Sequence, residues 1–283
     1  MIYSSTNLLI NNKYTLEKLL GSGKFGEIYL GRDNKNNKKV AVKLESKTNT
    51  YITLKNEATI LKYLYDNKCS HVPLLHWFGS HNNKYTIVIT SYDCSLYEYA
   101  LDNELSQTVI NNIMVKLISI IEDIHSLFVV HRDIKPQHFM IKNSNIYLID
   151  FGISTFYVDE NKKHKKNIKS EYIIGSPNYL SYFLHEGNSY SRRDDMISIG
   201  YIYIFLTTNS LPWKDIHVVD KEYNNIHILH KQNQLYKKLK SLDEINTISN
   251  QINTNLVTYF SFCYYLDFYS EPNYIENIAL FHE

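Results

Sequence analysis

Two aspartates 17 positions apart constrain this chain more than any other feature. Asp133 lies in His131-Arg132-Asp133-Ile134-Lys135-Pro136-Gln137-His138, directly after the apolar run Leu127 to Val130. Asp150 opens Asp150-Phe151-Gly152, directly after the strand-like Ile146-Tyr147-Leu148-Ile149. The intervening length suffices for a hairpin that returns both carboxylates to one cleft. One carboxylate can then accept a hydroxyl proton while the other holds Mg²⁺. The first string, apolar before and polar within, reads as a loop presenting charge at the edge of a core.

Two further strings precede these. Leu20-Gly21-Ser22-Gly23-Lys24-Phe25-Gly26-Glu27-Ile28 lies between strand-like runs. Its glycines allow a hairpin turn to approach a ligand closely, because no Cβ intervenes, and backbone N–H groups can then meet phosphate oxygens. In the dinucleotide-binding version of such a pattern the glycines open a helix; here the next run, Glu27 to Gly31, reads as a strand. Val40-Ala41-Val42-Lys43 comes next, and a hairpin return strand places Lys43 under the glycine turn. An ammonium held there needs a carboxylate. Glu57 on the next helix is the candidate, although Glu17, Glu27 and Glu45 are also near in sequence and a solvated helix glutamate is the simpler reading of Glu57 taken alone. Each string by itself occurs by chance; the four in this order do not.

The pattern of the chain changes near residue 90. Before it, strand-like runs dominate: Tyr14 to Leu20, Glu27 to Gly31, Lys39 to Leu44 and Tyr85 to Thr90. One helix interrupts them at Thr53 to Tyr65, with Leu54, Ala58, Leu61 and Leu64 on one stripe. After residue 95, helical spacing takes over at Val109 to Ser126, Arg193 to Thr207 and Asn255 to Tyr269. The fold class is therefore α+β, a small β-rich lobe followed by a larger α-helical lobe. Asp159 to Ser170 is polar and non-periodic and reads as a mobile loop with solvated lysines.

Composition excludes several classes. The formal net charge of +1 gives no global field toward nucleic acid or membrane. No apolar stretch reaches the roughly 18 residues a membrane span needs, and Met1 to Ile10 lacks the flank and apolar run of a signal peptide. Cys69, Cys94 and Cys263 are odd in number and widely spaced, which suits a reducing compartment rather than a disulfide or metal framework. The expectation is a monomeric intracellular protein, cytoplasmic or nuclear. Of 30 basic residues only Arg32, Arg132, Arg192 and Arg193 are arginine. Asn, Lys, Ile and Tyr are abundant, as under the AT-rich coding of some protists or large DNA viruses. Where lysine is the default, a surviving arginine points to a need for a planar guanidinium.

The four strings resemble the protein-kinase superfamily over nearly the whole chain, with a domain at 14–281 (14–90 and 91–281 for its lobes) after an extension at 1–13. Gly175-Ser176-Pro177-Asn178-Tyr179, Ser191-Arg192-Arg193-Asp194-Asp195, Ile199-Gly200-Tyr201, Leu211-Pro212-Trp213 and Glu271-Pro272-Asn273-Tyr274 resemble the casein kinase 1 branch, as does the missing Ala-Pro-Glu. The resemblance implies ATP, Mg²⁺ and protein substrates bearing serine or threonine. It implies that Leu20, Gly21, Ser22, Gly23, Lys24, Phe25, Gly26, Glu27 and Ile28 cover the phosphates, and that Lys43, paired with Glu57, contacts them. Asp133 would accept the hydroxyl proton and Lys135 would steady the γ-phosphate. Asp150 would ligate Mg²⁺, and Asp195 would brace the catalytic loop. Thr90 to Tyr92 would meet adenine, with Ile89 behind the pocket.

Two positions depart from that pattern. His138 stands where the family has a metal-binding Asn. It can point away, bind through Mn²⁺, or leave a single metal; a nucleotide-binding pseudokinase acting as a scaffold is the alternative. Asn178 stands where the branch has an Arg that favours acidic substrates; either Lys162, Lys163, Lys165, Lys166 and Lys169 compensate from the loop, or the acidic preference is lost. A kinase-fold enzyme for small molecules is disfavoured by Lys135. Ser170, Tyr172 and Ser176 are candidate phosphorylation sites by position.

Overall fold

Alternation of β-branched and polar residues in the first ninety positions produces one antiparallel sheet. The computed structural model describes residues 9–23, 26–50, 52–170, 173–214, 216 and 225–282, with backbone alone for 225–230. Of the candidate residues, Lys24, Phe25 and Tyr172 lie outside the described residues, as do the first eight positions. The described residues up to Asp93 together with Met140–Ile153 make one compact unit; Cys94–Phe139 and the described residues from Ser154 onward make the second. The first is rich in strands and the second in helices, in keeping with the expected α+β kinase fold.

In chain order the elements of the first unit are β1 (Leu9–Ile10), β2 (Tyr14–Gly23), β3 (Gly26–Asp33), β4 (Lys38–Ser46), α1 (Leu54–Asp66), β5 (Leu75–His81) and β6 (Lys84–Thr90). The sheet order is β1-β2-β3-β4-β6-β5. Ile10, Tyr14, Val40, Val42, Leu44 and Val88 form its buried cluster. The register fixes the neighbours of the candidate lysine: Ile28 lies opposite Lys43, and Lys43 opposite Ile87. Strand β5 was not anticipated. Its sequence Leu-His-Trp-Phe-Gly-Ser-His lacks β-branched residues, and its pairing with β6 supplies what propensity does not.

The chain continues with β7 (Cys94–Ser95), α2 (Leu96–Asp102), α3 (Gln107–Ser126), β8 (Val129–Val130), a 3-10 turn (Pro136–His138), β9 (Phe139–Lys142), β10 (Asn145–Leu148) and β11 (Thr155–Phe156). Then come α4 (Tyr182–His185), α5 (Arg192–Thr208), α6 (Asn225–Leu239), α7 (Leu242–Asn250), α8 (Thr254–Tyr265) and α9 (Tyr274–Ala279). Helix α5 is buried on every side from Arg192 to Leu206. That explains its lack of an apolar stripe: a helix surrounded by others has no polar face to alternate. No described helix is long and apolar enough to cross a membrane.

The Asp159–Ser170 segment is irregular, as its composition implies, but it is not the loose loop expected. Asp159 Oδ1 accepts from the N–H groups of Asn161 and Lys163. The His164 ring packs 4.9 Å from Phe268 and 5.3 Å from Tyr269. Further on, Ile168 N donates to Ser189 Oγ and Ser189 N to Asn167 Oδ1. The Asp159 ties are local, but those to Phe268, Tyr269 and Ser189 come from residues distant in sequence, which local periodicity cannot weigh.

The paired arginines at the start of α5 have the geometry that lysine lacks. Arg192 donates through Nη1 to Tyr157 Oη (3.2 Å) and through Nη2 to Tyr269 O (3.0 Å), and lies over the Tyr157 ring. Arg193 Nη1 donates to Leu266 O, and its guanidinium sits 3.6 Å from the centre of the Phe183 ring. A planar guanidinium reaches two acceptors from separate nitrogens while its face lies on a ring, a geometry that one ammonium nitrogen does not reproduce. Arg192→Lys is expected to lower unfolding stability by about 1–3 kcal/mol, read from urea denaturation; an unchanged midpoint would remove this explanation for the retained arginine.

Candidate active site

In the first unit the glycine turn and strand β4 bring the phosphate-binding candidates together. Gly26 has φ +133°, and a Cβ there would stand 2.0 Å from Leu44 O, so the third glycine is required by the backbone. At Gly21 and Gly23 a Cβ would meet nothing within 4 Å. Leu20, Gly21, Ser22 and Gly23 are exposed along the end of β2, and Ile28 is half-buried on β3. The Glu27 carboxylate pairs with Lys84 at 2.6 Å.

Lys43 Nζ donates to Glu57 Oε1 (2.7 Å) and Oε2 (3.0 Å), and lies 3.6 Å from Asp150 Oδ1. Lys43 and Glu57 are buried, whereas the Asp150 side chain keeps 41% exposure. Burial opposes the Lys43 ammonium, but the carboxylates of Asp150 and Glu57 outweigh it and hold its pKa above the usual lysine value. The group is a fixed cation. Asp150 adopts φ +68°, a conformation that costs a non-glycine residue energy and that clusters at functional sites.

Thr90 ends β6, where Leu74 N donates to its Oγ1. Ser91 O accepts from Lys142 Nζ at 2.7 Å, and the Tyr92 ring packs 5.0 Å from Tyr147. Ile89 is buried. The engagement of the Ser91 carbonyl by Lys142 had no sequence signal, since the two residues are 51 positions apart.

In the second unit the loop after β8 carries the remaining candidate residues. Asp133 Oδ1 accepts from Ser176 N (2.9 Å) and Oδ2 from Lys135 Nζ (2.8 Å), while Lys135 Nζ also donates to Ser176 Oγ (2.9 Å). Burial pushes the Asp133 carboxyl up, but His138, Lys135 and the Ser176 bond together bring it below the usual aspartate value. It therefore stands ionised, as a proton acceptor must. Asp195 Oδ2 accepts from His131 N (2.8 Å) and Oδ1 from Arg132 N (3.1 Å). The expected brace is present as direct hydrogen bonds.

His138 is buried, with Nδ1 2.9 Å from Asp133 O and 3.6 Å from Asp133 Oδ2. A backbone carbonyl only accepts, so Nδ1 carries the proton and its lone pair is not offered to a metal. Imidazole in any case suits softer ions than Mg²⁺. Among the described residues no cluster of three or more His, Cys, Asp or Glu is arranged to hold a metal. A divalent ion at Asp150 would thus depend on nucleotide phosphates for most of its ligands, which fits the usual way Mg²⁺ is bound beside phosphate groups.

A protein kinase domain family model matches residues 14–263. The chain belongs to the protein kinase family. Membership makes it a phosphotransferase fold whose chemistry uses ATP, a divalent metal and protein substrates.

The structure adds residues that sequence reasoning missed. Ser176, a branch mark and candidate phosphorylation site by sequence, has its hydroxyl engaged by Lys135 and its N–H by Asp133. Lys240, which no sequence motif singles out, is fully buried. Its Nζ donates to Pro177 O and Leu180 O (both 2.7 Å) inside rings from Tyr201, Trp213 and Tyr236. Asn178 is held by Tyr236 Oη on its Oδ1 and by Trp213 Nε1 on its carbonyl. The lysines proposed to compensate for Asn178 lie elsewhere: Lys163, Lys165 and Lys166 line a cavity of about 750 Å³ with Arg132, and Asn178 lines a separate one of about 130 Å³ with Gln137.

Ser176→Ala removes the hydroxyl from Lys135 but leaves the backbone bond to Asp133. Steady-state kinetics are expected to show kcat lowered about tenfold with KM for ATP unchanged, the size of one hydrogen bond to a charged group. An unchanged kcat would mean that the hydroxyl does not orient Lys135.

Proposed function

We propose that this protein is a casein kinase 1-like serine/threonine kinase, transferring the γ-phosphate of ATP to hydroxyl groups of protein substrates. The observation that carries the reading is the setting of Asp133. It is an ionised carboxylate, fixed by Ser176 N and by Lys135, beside a loop whose backbone Asp195 holds. Such a group can take the proton of an incoming serine or threonine hydroxyl as its oxygen bonds to the γ-phosphorus and the bond to the β-phosphate oxygen breaks, releasing ADP. Lys135 offers its charge to the γ-phosphate. Lys43, itself held by Glu57, pairs with the α- and β-phosphates, and Leu20–Gly23 with Gly26–Ile28 cover them. A bound divalent ion supplies charge neutralisation at those phosphates, with Asp150 as its protein ligand. Thr90 and Tyr92 flank the adenine. Three widely spaced cysteines suit a reducing compartment, cytoplasmic or nuclear.

Acidic residues in the substrate would be selected by Lys163, Lys165 and Lys166 about Arg132 rather than by position 178. Replacing the three lysines by alanine is expected to raise KM for an acidic peptide severalfold and leave a neutral peptide unaffected. Equal effects on both peptides would remove that assignment.

With casein as substrate, Asp133→Asn is expected to lower incorporation at least about 100-fold; persistent labelling would exclude Asp133 as the base. Because an imidazole at position 138 suits softer ions than Mg²⁺, turnover is expected to be faster with Mn²⁺ than with Mg²⁺, and His138→Asn should raise the Mg²⁺-supported rate. The same observation favours the second reading, a nucleotide-binding pseudokinase. ATP-dependent thermal stabilisation without phosphate transfer under either metal would establish that reading instead.

A further inference from the structure

The Lys43–Glu57 pair requires helix α1 to sit at one position against strand β4, and a neighbouring carboxylate supplies the fastening. Glu45 lies two residues after Lys43, hence on the same face of β4, and is fully buried. Its Oε1 and Oε2 accept from Thr53 N (3.1 and 2.9 Å), its Oε1 from Thr53 Oγ1 (3.1 Å) and its Oε2 from Leu54 N (2.9 Å). These N–H groups are among those that a helix start leaves without an intrahelical acceptor, at the positive end of the helix dipole. Thr53 makes no side-chain cap of its own. Glu45 therefore does from the sheet what a capping residue ordinarily does from within the helix.

The same helix is tied a second time. Asn56 Nδ2 donates to Phe151 O (3.2 Å) and Gly152 O (3.0 Å), the backbone directly after Asp150. A Cβ at Gly152 would stand 3.0 Å from Thr53 Cβ, so the helix start lies directly on that turn. Glu45 and Asn56 thereby tie the helix that carries Glu57 to the strand that carries Lys43 and to the turn that follows Asp150.

We propose that Glu45 is a positioning residue of the nucleotide site. It anchors the N-terminus of α1 to β4 so that Glu57 is presented to Lys43 without a partner protein or a modification to press the helix into place. Asn56 is the second tether, from the helix to the Asp150 turn. The proposal rests on the reading that Lys43 orients ATP phosphates.

The test compares the full chain with Glu45→Ala, Glu45→Gln and Asn56→Ala, at a temperature well below each melting point. Amide hydrogen exchange over Leu54–Glu57, the Kd for ATP, kcat, and KM for ATP and for a peptide are measured. Glu45→Ala is expected to raise exchange of these amides about tenfold or more, to weaken ATP binding and to lower kcat by a similar factor, with KM for the peptide unchanged. Glu45→Gln, which keeps one accepting oxygen, should fall between. Unchanged exchange together with unchanged Kd for ATP would overturn the proposal. So would a loss of activity that only tracks the folded fraction, since that is the mark of a general stabilising role. A wild-type protein that binds ATP but transfers no phosphate would fail the phosphotransfer reading alone; the exchange and Kd comparisons would still decide the role of Glu45.

Discussion

The loop that carries Asp133 has little regular structure, and its geometry depends on one buried carboxylate. Asp195 sits on α5, completely enclosed, and accepts from His131 N, Arg132 N and His125 Nε2. A carboxylate removed from water is tolerated only when its oxygens are satisfied in this way. In return it holds a backbone that would otherwise relax: Arg132 has φ +74°, which a non-glycine residue keeps only where its surroundings over-determine it. Burial lowers the pKa of His125, so its ring is neutral and donates through Nε2. Its Nδ1 then accepts from Tyr274 Oη at 2.7 Å. The last helix thus bears on the catalytic loop through α3 and α5.

The segment 175–180 is held to the same loop from a different direction. A Cβ at Gly175, whose φ is +119°, would stand 2.7 Å from Arg132 O, so only glycine allows this approach. Ser176 then reaches Asp133 and Lys135. Behind it, Lys240 caps the carbonyls of Pro177 and Leu180. Burial drives the Lys240 pKa well down, yet the ammonium has carbonyl oxygens at 2.7 Å and aromatic faces about it, which are acceptors for the charged form. The segment is fixed by backbone carbonyl capping rather than by a carboxylate ion pair.

Much of this was legible from short-range pattern. Strand alternation located β2, β3, β4 and β6, and helical spacing located α1, α3, α5 and α8, each within a few residues. The glycine string, Lys43, Asp133 and Asp150 carry their chemistry in local order, because the turn, the strand end and the loop that present them are local structures. Glu57 could be named as a partner but not chosen on residues alone over Glu45. The structure gives both of them work: Glu57 meets Lys43, and Glu45 caps the helix. What separates them is the distance between β4 and α1, a tertiary quantity.

The sequence by itself determined that the chain is a protein kinase domain, α+β in class, with two aspartates and a lysine as its candidate site residues. Those facts rest on motifs whose residues are neighbours along the chain. Tertiary structure alone decided that Lys240 is buried, that Ser176 bonds both Asp133 and Lys135, and that His138 turns Nδ1 toward Asp133 O. It also decided that the Asp159–Ser170 segment is pinned by Ser189 and Phe268. Each of these depends on groups that folding brings together from far apart in the chain. A residue's type constrains which hydrogen bonds it can make, but only the folded backbone decides which partners are within about three ångströms.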